Sequence, residues 1–115
     1  MGDNLEKMIK LIGFSGKVDD WCKWSRKFLA RANYKKYHDV LLGDVAVPEN
    51  DMELDLATEE GLAFKKARDA NKVAYSKLLM CCDDDVSFAI IDTACTTELP
   101  RGCAKTAWQG ICTMY

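Results

Sequence analysis

The sequence lacks a long apolar run and a leader-like start. No stretch of about eighteen apolar residues occurs in the 115-residue chain, as a membrane-spanning helix would require. The first ten residues, MGDNLEKMIK, are too charged for the apolar core of a signal peptide. We therefore predict a cytoplasmic protein that has no membrane partner.

Histidine is nearly absent, and the cysteines lack the spacing of zinc ligands. His38 is the single histidine beside six cysteines. A zinc site needs close pairs such as Cys-x2-Cys, whereas this chain has an adjacent pair, Cys81 and Cys82, and a wide gap from Cys103 to Cys112. In a chain without a secretion signal, free thiols usually pack as small apolar groups. We predict that all six cysteines are buried thiols and that no metal or cofactor is bound.

The net charge of −2 conceals an uneven distribution. Residues 1–38 carry nine basic and four acidic groups, whereas residues 39–62 carry eight acidic groups and no basic one. Residues 63–82 are basic again, and residues 83–115 are acidic. Such blocks can steer unlike surfaces of neighbouring copies together, and solvated helix faces of a soluble domain would produce the same pattern.

Apolar residues recur every three or four positions, which predicts one all-α domain of about five helices over residues 1–115. The pattern is firmest from Val18, where Ser15 is a candidate cap. Trp24 lies off this stripe, and we predict that it is buried because a large ring contributes most in a core. Residues 4–12 fit a helix or an extended arm equally well. The stripe itself consists of Val18, Trp21, Cys22, Ser25, Phe28, Leu29 and Ala32.

Four further helices follow from the same pattern. We predict a short helix from Tyr34 to Leu42 with a glycine cap, and a long one from about Thr58 to Cys82. The fourth helix begins after an aspartate triplet at 83–85 that caps it, and it ends near Cys95. The last begins near Cys103 and stops in mid-pattern at the chain end, which predicts a fragment of a longer protein.

Residues 44–58 are acidic, contain Pro48 and lack a helical period, so they are predicted to form a mobile connecting loop. Loops of this length are often functional, although a solvated connector would have the same sequence pattern. Basic residues on the outer side of the first long helix form a possible contact surface, namely Lys23, Arg26, Lys27 and Arg31. The predicted core consists of Trp21, Phe28, Leu29, Leu41, Ala74, Tyr75, Leu78, Ile90, Ile91, Trp108 and Ile111.

The order of these features resembles the Gag capsid region of copia-type LTR retrotransposons. That pattern has a Leu-x-Gly opening followed by Phe, a Trp-centred helix, a closing Leu-x-Gly, an acidic loop with proline, a long helix, and Ala-x-x-x-Trp followed by an apolar residue and Tyr. The resemblance covers nearly the whole chain and depends on order and spacing. Its residues here are Leu11, Gly13, Phe14, Trp21 or Trp24, Leu41, Gly43, Pro48, residues 74–79, Ala104, Trp108, Ile111 and Tyr115.

The resemblance implies a bundle like a capsid N-terminal domain, whose partner is itself. Such a domain self-associates into a virus-like particle around the element's RNA and has no active site and no small-molecule substrate. This chain has FSGKVDDWCKW in place of an Asn-Tyr-x-x-Trp opening, and it lacks the Cys-x2-Cys-x4-His-x4-Cys knuckle. RNA would therefore be bound indirectly or through downstream regions.

Three other readings stay open. A domesticated Gag-derived module for protein interaction would share the same pattern. A helical nucleic-acid-binding domain would use the basic residues between Lys7 and Lys36 with the aromatic residues among them. An enzyme would need Cys22, Cys81 or Cys82 as nucleophile and His38 as base, and no local signature orders these residues.

Overall fold

A computed structural model describes residues 13–49 and 52–115. The described ranges contain five helices and no named strand, which confirms the prediction of an all-α bundle. The undecided segment 4–12 lies outside the described residues. The helices are α1 (Val18–Lys35), α2 (His38–Leu42), α3 (Glu59–Cys81), α4 (Asp85–Asp92) and α5 (Ala104–Met114).

The first helix is longer than predicted, and the second is shorter. Tyr34 belongs to α1, which ends only where Lys36 adopts the left-handed conformation with φ of 66°. Ser15 does not cap α1, since its hydroxyl donates to Asp20 Oδ2 at 2.6 Å and accepts from the Lys17 amide at 3.1 Å. Gly43 follows α2 with φ of 81°, a conformation that glycine adopts at little cost.

Side-chain caps fix the starts of α3 and α4. The Thr58 hydroxyl accepts from the Gly61 amide at 2.9 Å, and the Asp84 carboxylate accepts from the Ser87 amide at 3.0 Å. These bonds satisfy amides that the first helical turn leaves without partners. The predicted end of α4 near Cys95 was too late, because the helix stops at Asp92.

α5 lies at the centre of the bundle and packs against α2, α3 and α4. Ser87, at the start of α4, meets Tyr115, at the end of α5, through their hydroxyl oxygens at 2.7 Å. The two helices are therefore antiparallel. Ahead of α1, the Phe14 amide donates to the Cys81 carbonyl at 2.7 Å, which ties the start of the described chain to the end of α3.

The inward side of α1 is rotated from the predicted stripe. Val18 and Cys22 of the stripe are exposed, whereas Trp24 is buried, which confirms its prediction. Of the predicted core residues, seven are buried, namely Phe28, Leu41, Ala74, Leu78, Ile91, Trp108 and Ile111. The other four are partly buried and pack against that core, namely Trp21, Leu29, Tyr75 and Ile90.

The connector between α2 and α3 has no helix over its described positions, 44–49 and 52–58. It is not wholly solvated, because Pro48 is buried and Val47 packs against the core. No helix in the described part of the chain combines the length and the apolar character needed to cross a bilayer.

Candidate interaction site

A cluster of aromatic rings from both ends of the described chain positions α1 against α5. The Trp108 ring centroid lies 5.4 Å from that of Phe28 and 5.6 Å from that of Trp21. The Phe14 centroid lies 5.0 Å from that of Trp24. These separations are typical of favourable aromatic pairs. The rings in contact are Phe14, Trp21, Trp24, Phe28, Tyr37, Trp108 and Tyr115, and we call them the aromatic cluster.

The predicted basic surface of α1 divides into an exposed part and one inward residue. Lys23, Arg26 and Lys27 are exposed and, at these spacings, lie on one side of the helix. Arg31 is half-buried, and its charge acts on the Tyr37 phenol and the Cys81 thiol. Arg31 is therefore less exposed than the other three, and the basic contact surface stays a prediction.

Two of the exposed lysines border a cleft beside the aromatic cluster. This cleft of about 250 Å³ lies between α1 and the segment that precedes it, and we call it the lysine cleft. Trp24 is among the lining residues although it is only 5% exposed, and Asp20 adds one acidic residue beside the two lysines. The lining residues are Gly13, Ser15, Asp20, Lys23, Trp24 and Lys27.

Residues 52–60 form a surface of opposite charge, which we call the acidic segment. Its carboxylates at Glu53, Asp55, Glu59 and Glu60 belong to exposed residues. Met52 and Leu56 are also exposed, at 44% and 50%, so apolar side chains alternate with charged ones on this surface. The segment borders a separate hollow of about 220 Å³ at the start of α3.

The acidic segment is held on its own α3. The Arg68 guanidinium donates from Nη1 to the Met52 carbonyl at 3.0 Å. Gly61 approaches the Asp55 backbone so closely that a Cβ at residue 61 would overlap it. These contacts attach both ends of residues 52–55 to one helix.

Asn71 is the buried polar residue that joins α3 to the start of α5. It is 2% exposed, its Nδ2 donates to the Gly102 carbonyl at 3.0 Å, and its Oδ1 accepts from the Ala104 amide at 2.9 Å. Because a buried polar group is costly without partners, this pair of bonds fixes the register between the two helices.

A second polar contact joins α4 to the chain end. Asp84 accepts from the Ser87 amide, and the Tyr115 hydroxyl lies 3.5 Å from the same carboxylate oxygen. The described residues contain no group of three or more His, Cys, Asp or Glu side chains arranged to hold a metal ion. Within the aspartate triplet, Asp84 is the helix cap.

The cysteines divide into three buried and three exposed thiols, so the prediction that all six are buried was wrong. Cys81, Cys82 and Cys103 are buried, whereas Cys22, Cys95 and Cys112 are exposed. Burial raises the pKa of Cys81 to about 11 and that of Cys82 to about 12. A raised pKa lowers the fraction of reactive thiolate, which is the opposite of what a cysteine nucleophile requires.

Alkylation should therefore divide the thiols into two classes. We expect iodoacetamide near pH 8 to modify only the three exposed cysteines in the folded chain, and all six after denaturation. Mass spectrometry of intact and digested protein measures both the number and the positions. Rapid modification of Cys81 or Cys82 under native conditions would contradict the burial described here.

The sequence identified Phe14 only as part of the resemblance and not as a core residue, and it did not reveal the bonding role of Asn71. Phe14 stands outside any helix, so no periodic pattern marks it as buried. Asn71 lies at helical spacing with the apolar residues Ala67, Ala74 and Leu78, and a lone polar residue on such a stripe is the signal that could have identified it. The lysine cleft brings together two of the predicted basic residues with Trp24.

Comparison of the chain with protein-family models, curated proteins and solved structures gave no match.

Proposed function

We propose that this chain is the structural capsid domain of a copia-type Gag protein, which self-associates into a virus-like particle that encloses retrotransposon RNA. The proposal rests on one observation, which is that the residues carrying the resemblance contact one another in the fold. Phe14, Trp21, Trp24, Trp108 and Tyr115 are scattered along the sequence, yet they meet in the aromatic cluster. The motif order therefore corresponds to one packed unit. Leu11 of the same motif lies outside the described residues.

The outer surface of α3 supports self-association. Leu62, Val73 and Met80 are exposed and, at spacings of eleven and seven residues, lie along one line of the helix. This line is opposite the buried side that contains Ala74 and Leu78. These side chains are available for contact with another protein surface, although Lys66 and Asp69 lie between Leu62 and Val73 on the same line. Weak contacts of this kind become sufficient when a closed assembly repeats them many times.

Electron microscopy of the complete parent polypeptide, expressed alone and treated with nuclease, tests the proposal. We expect closed particles that protect RNA from digestion. Monomers or small oligomers at every salt and protein concentration would contradict it and favour a domesticated interaction module. Salt-sensitive RNA binding by monomers, lost in Lys23→Glu/Arg26→Glu, would instead favour the nucleic-acid-binding domain.

A further inference from the structure

We infer that the lysine cleft of one copy binds the acidic segment of a second copy, in a head-to-tail contact. The inference rests on the proposed self-association and deepens it by naming the two unlike surfaces that meet. Exposed lysines at positions 23 and 27 border the cleft on one surface. Exposed carboxylates surround Met52 and Leu56 on the other.

Charge complementarity selects the acidic segment as the occupant. Residues 39–62 carry eight acidic groups and no basic group. Residues 13–35, which include α1 and the segment before it, are rich in lysine and arginine. Surface ion pairs are individually weak, so several must act together with an apolar contact. The acidic segment offers both within nine residues, because Glu53 lies next to Met52, and Asp55 lies next to Leu56.

The size of the lysine cleft fits a side chain. Its volume of about 250 Å³ corresponds to roughly eight waters at about 30 Å³ each. Trp24 lines the cleft with its small exposed part, which an entering methionine or leucine side chain would contact. The two lysines, one helical turn apart, can then pair with carboxylates on either side of that side chain.

A second copy is required because each surface is built on a different part of the fold. Residues 13–27 line the lysine cleft, whereas residues 52–64 line the hollow beside the acidic segment, and no described residue lines both. The bond from Arg68 to Met52 and the close approach at Gly61 hold the acidic segment on its own α3. A contact between two different surfaces is heterologous, so it propagates from copy to copy and forms rings or extended arrays.

Charge reversal tests the contact. Sedimentation velocity of the 115-residue chain at low and at physiological salt would compare Lys23→Glu/Lys27→Glu with Glu53→Lys/Glu60→Lys. We expect each double variant to lose at least about tenfold in self-association affinity, because like charges then face each other. Added salt should weaken the association of the unaltered chain. The quadruple variant with all four changes has the original net charge and should associate again.

Matched variants separate this contact from an effect of net charge. Arg101→Glu/Lys105→Glu and Asp92→Lys/Glu98→Lys make the same charge changes at exposed positions outside both surfaces and outside α3. We expect them to associate within about twofold of the unaltered chain, since no contact is reversed. Circular dichroism melting checks that every variant is folded. An unaltered chain that stays monomeric, or a quadruple variant that stays dissociated while folded, would overturn the inference.

The parent polypeptide distinguishes failure of this contact from failure of the proposed function. If the parent forms RNA-protecting particles and its two double variants form them equally well, the head-to-tail contact is wrong and the capsid proposal stands. If the unaltered parent forms no particles, the capsid proposal fails. Particles lost in each double variant and regained in the quadruple variant would support both.

Discussion

Replacement of Trp108 by alanine is expected to lower the free energy of unfolding by about 3 to 5 kcal/mol. Trp108 is 5% exposed, and its ring contacts those of Trp21, Trp24 and Phe28. Truncation removes the buried surface and leaves a cavity between α1 and α5 that rigid neighbours fill only partly. Since small domains have about 5 to 15 kcal/mol of stability, the variant should unfold at a much lower temperature or denaturant concentration.

Urea unfolding followed by circular dichroism and tryptophan fluorescence measures this loss. Phe88→Ala is the matched control, because Phe88 is a large aromatic residue that is 43% exposed on α4. Its truncation should cost about 1 kcal/mol or less, since much less surface leaves water on folding. An unchanged urea midpoint for Trp108→Ala would show that the aromatic cluster does not hold the bundle together.

Asn71→Leu is expected to destabilise the fold by about 2 to 5 kcal/mol, although it keeps the side-chain volume nearly constant. The leucine cannot accept from the Ala104 amide or donate to the Gly102 carbonyl, so both buried backbone groups lose their partner. Each group left without a hydrogen bond costs about 1 to 3 kcal/mol. The loss should fall on the junction between α3 and the start of α5.

Urea unfolding measures the loss of stability. Hydrogen exchange of the Ala104 amide, measured by NMR, shows whether the loss lies at this junction. Asn33→Leu is the control, because Asn33 is an exposed asparagine of α1. Its substitution should change stability by less than about 0.5 kcal/mol. Equal stability of Asn71→Leu and the unaltered chain, with a protected Ala104 amide, would show that the two hydrogen bonds are dispensable.

The sequence predicted the number and order of the helices because their apolar periodicity and end signals are local. Thr58 and the aspartates before α4 marked helix starts, and the structure shows Thr58 and Asp84 as caps. The boundaries at Tyr34 and Cys95 were misplaced. The apolar periodicity does not change at either residue, so the sequence gives no sign of a boundary there. The backbone conformation in the structure shows where each helix stops.

The surfaces were predicted less well than the core. Lys23 and Lys27 were identified from charge and spacing, yet the cleft that they border depends on how Gly13 and Ser15 of the preceding segment fold back against α1. Arg31 is a basic residue of α1, four positions after Lys27, and nevertheless its charge lies close to Tyr37 and Cys81. A charged residue at the edge of an amphipathic stripe can lie on either side, so its direction is a tertiary property.

By itself, the sequence determined an all-α bundle, the starts of α3 and α4 and a strongly uneven distribution of charge, because periodicity, capping and charge are properties of neighbouring residues. Only the tertiary structure decided that Val18 and Cys22 lie outside the core, that Asn71 joins α3 to α5, and that Gly13 and Ser15 form a cleft with two lysines of α1. Each of these depends on contacts between residues far apart in the chain, and the rotation of a helix about its axis is set by the surfaces packed against it.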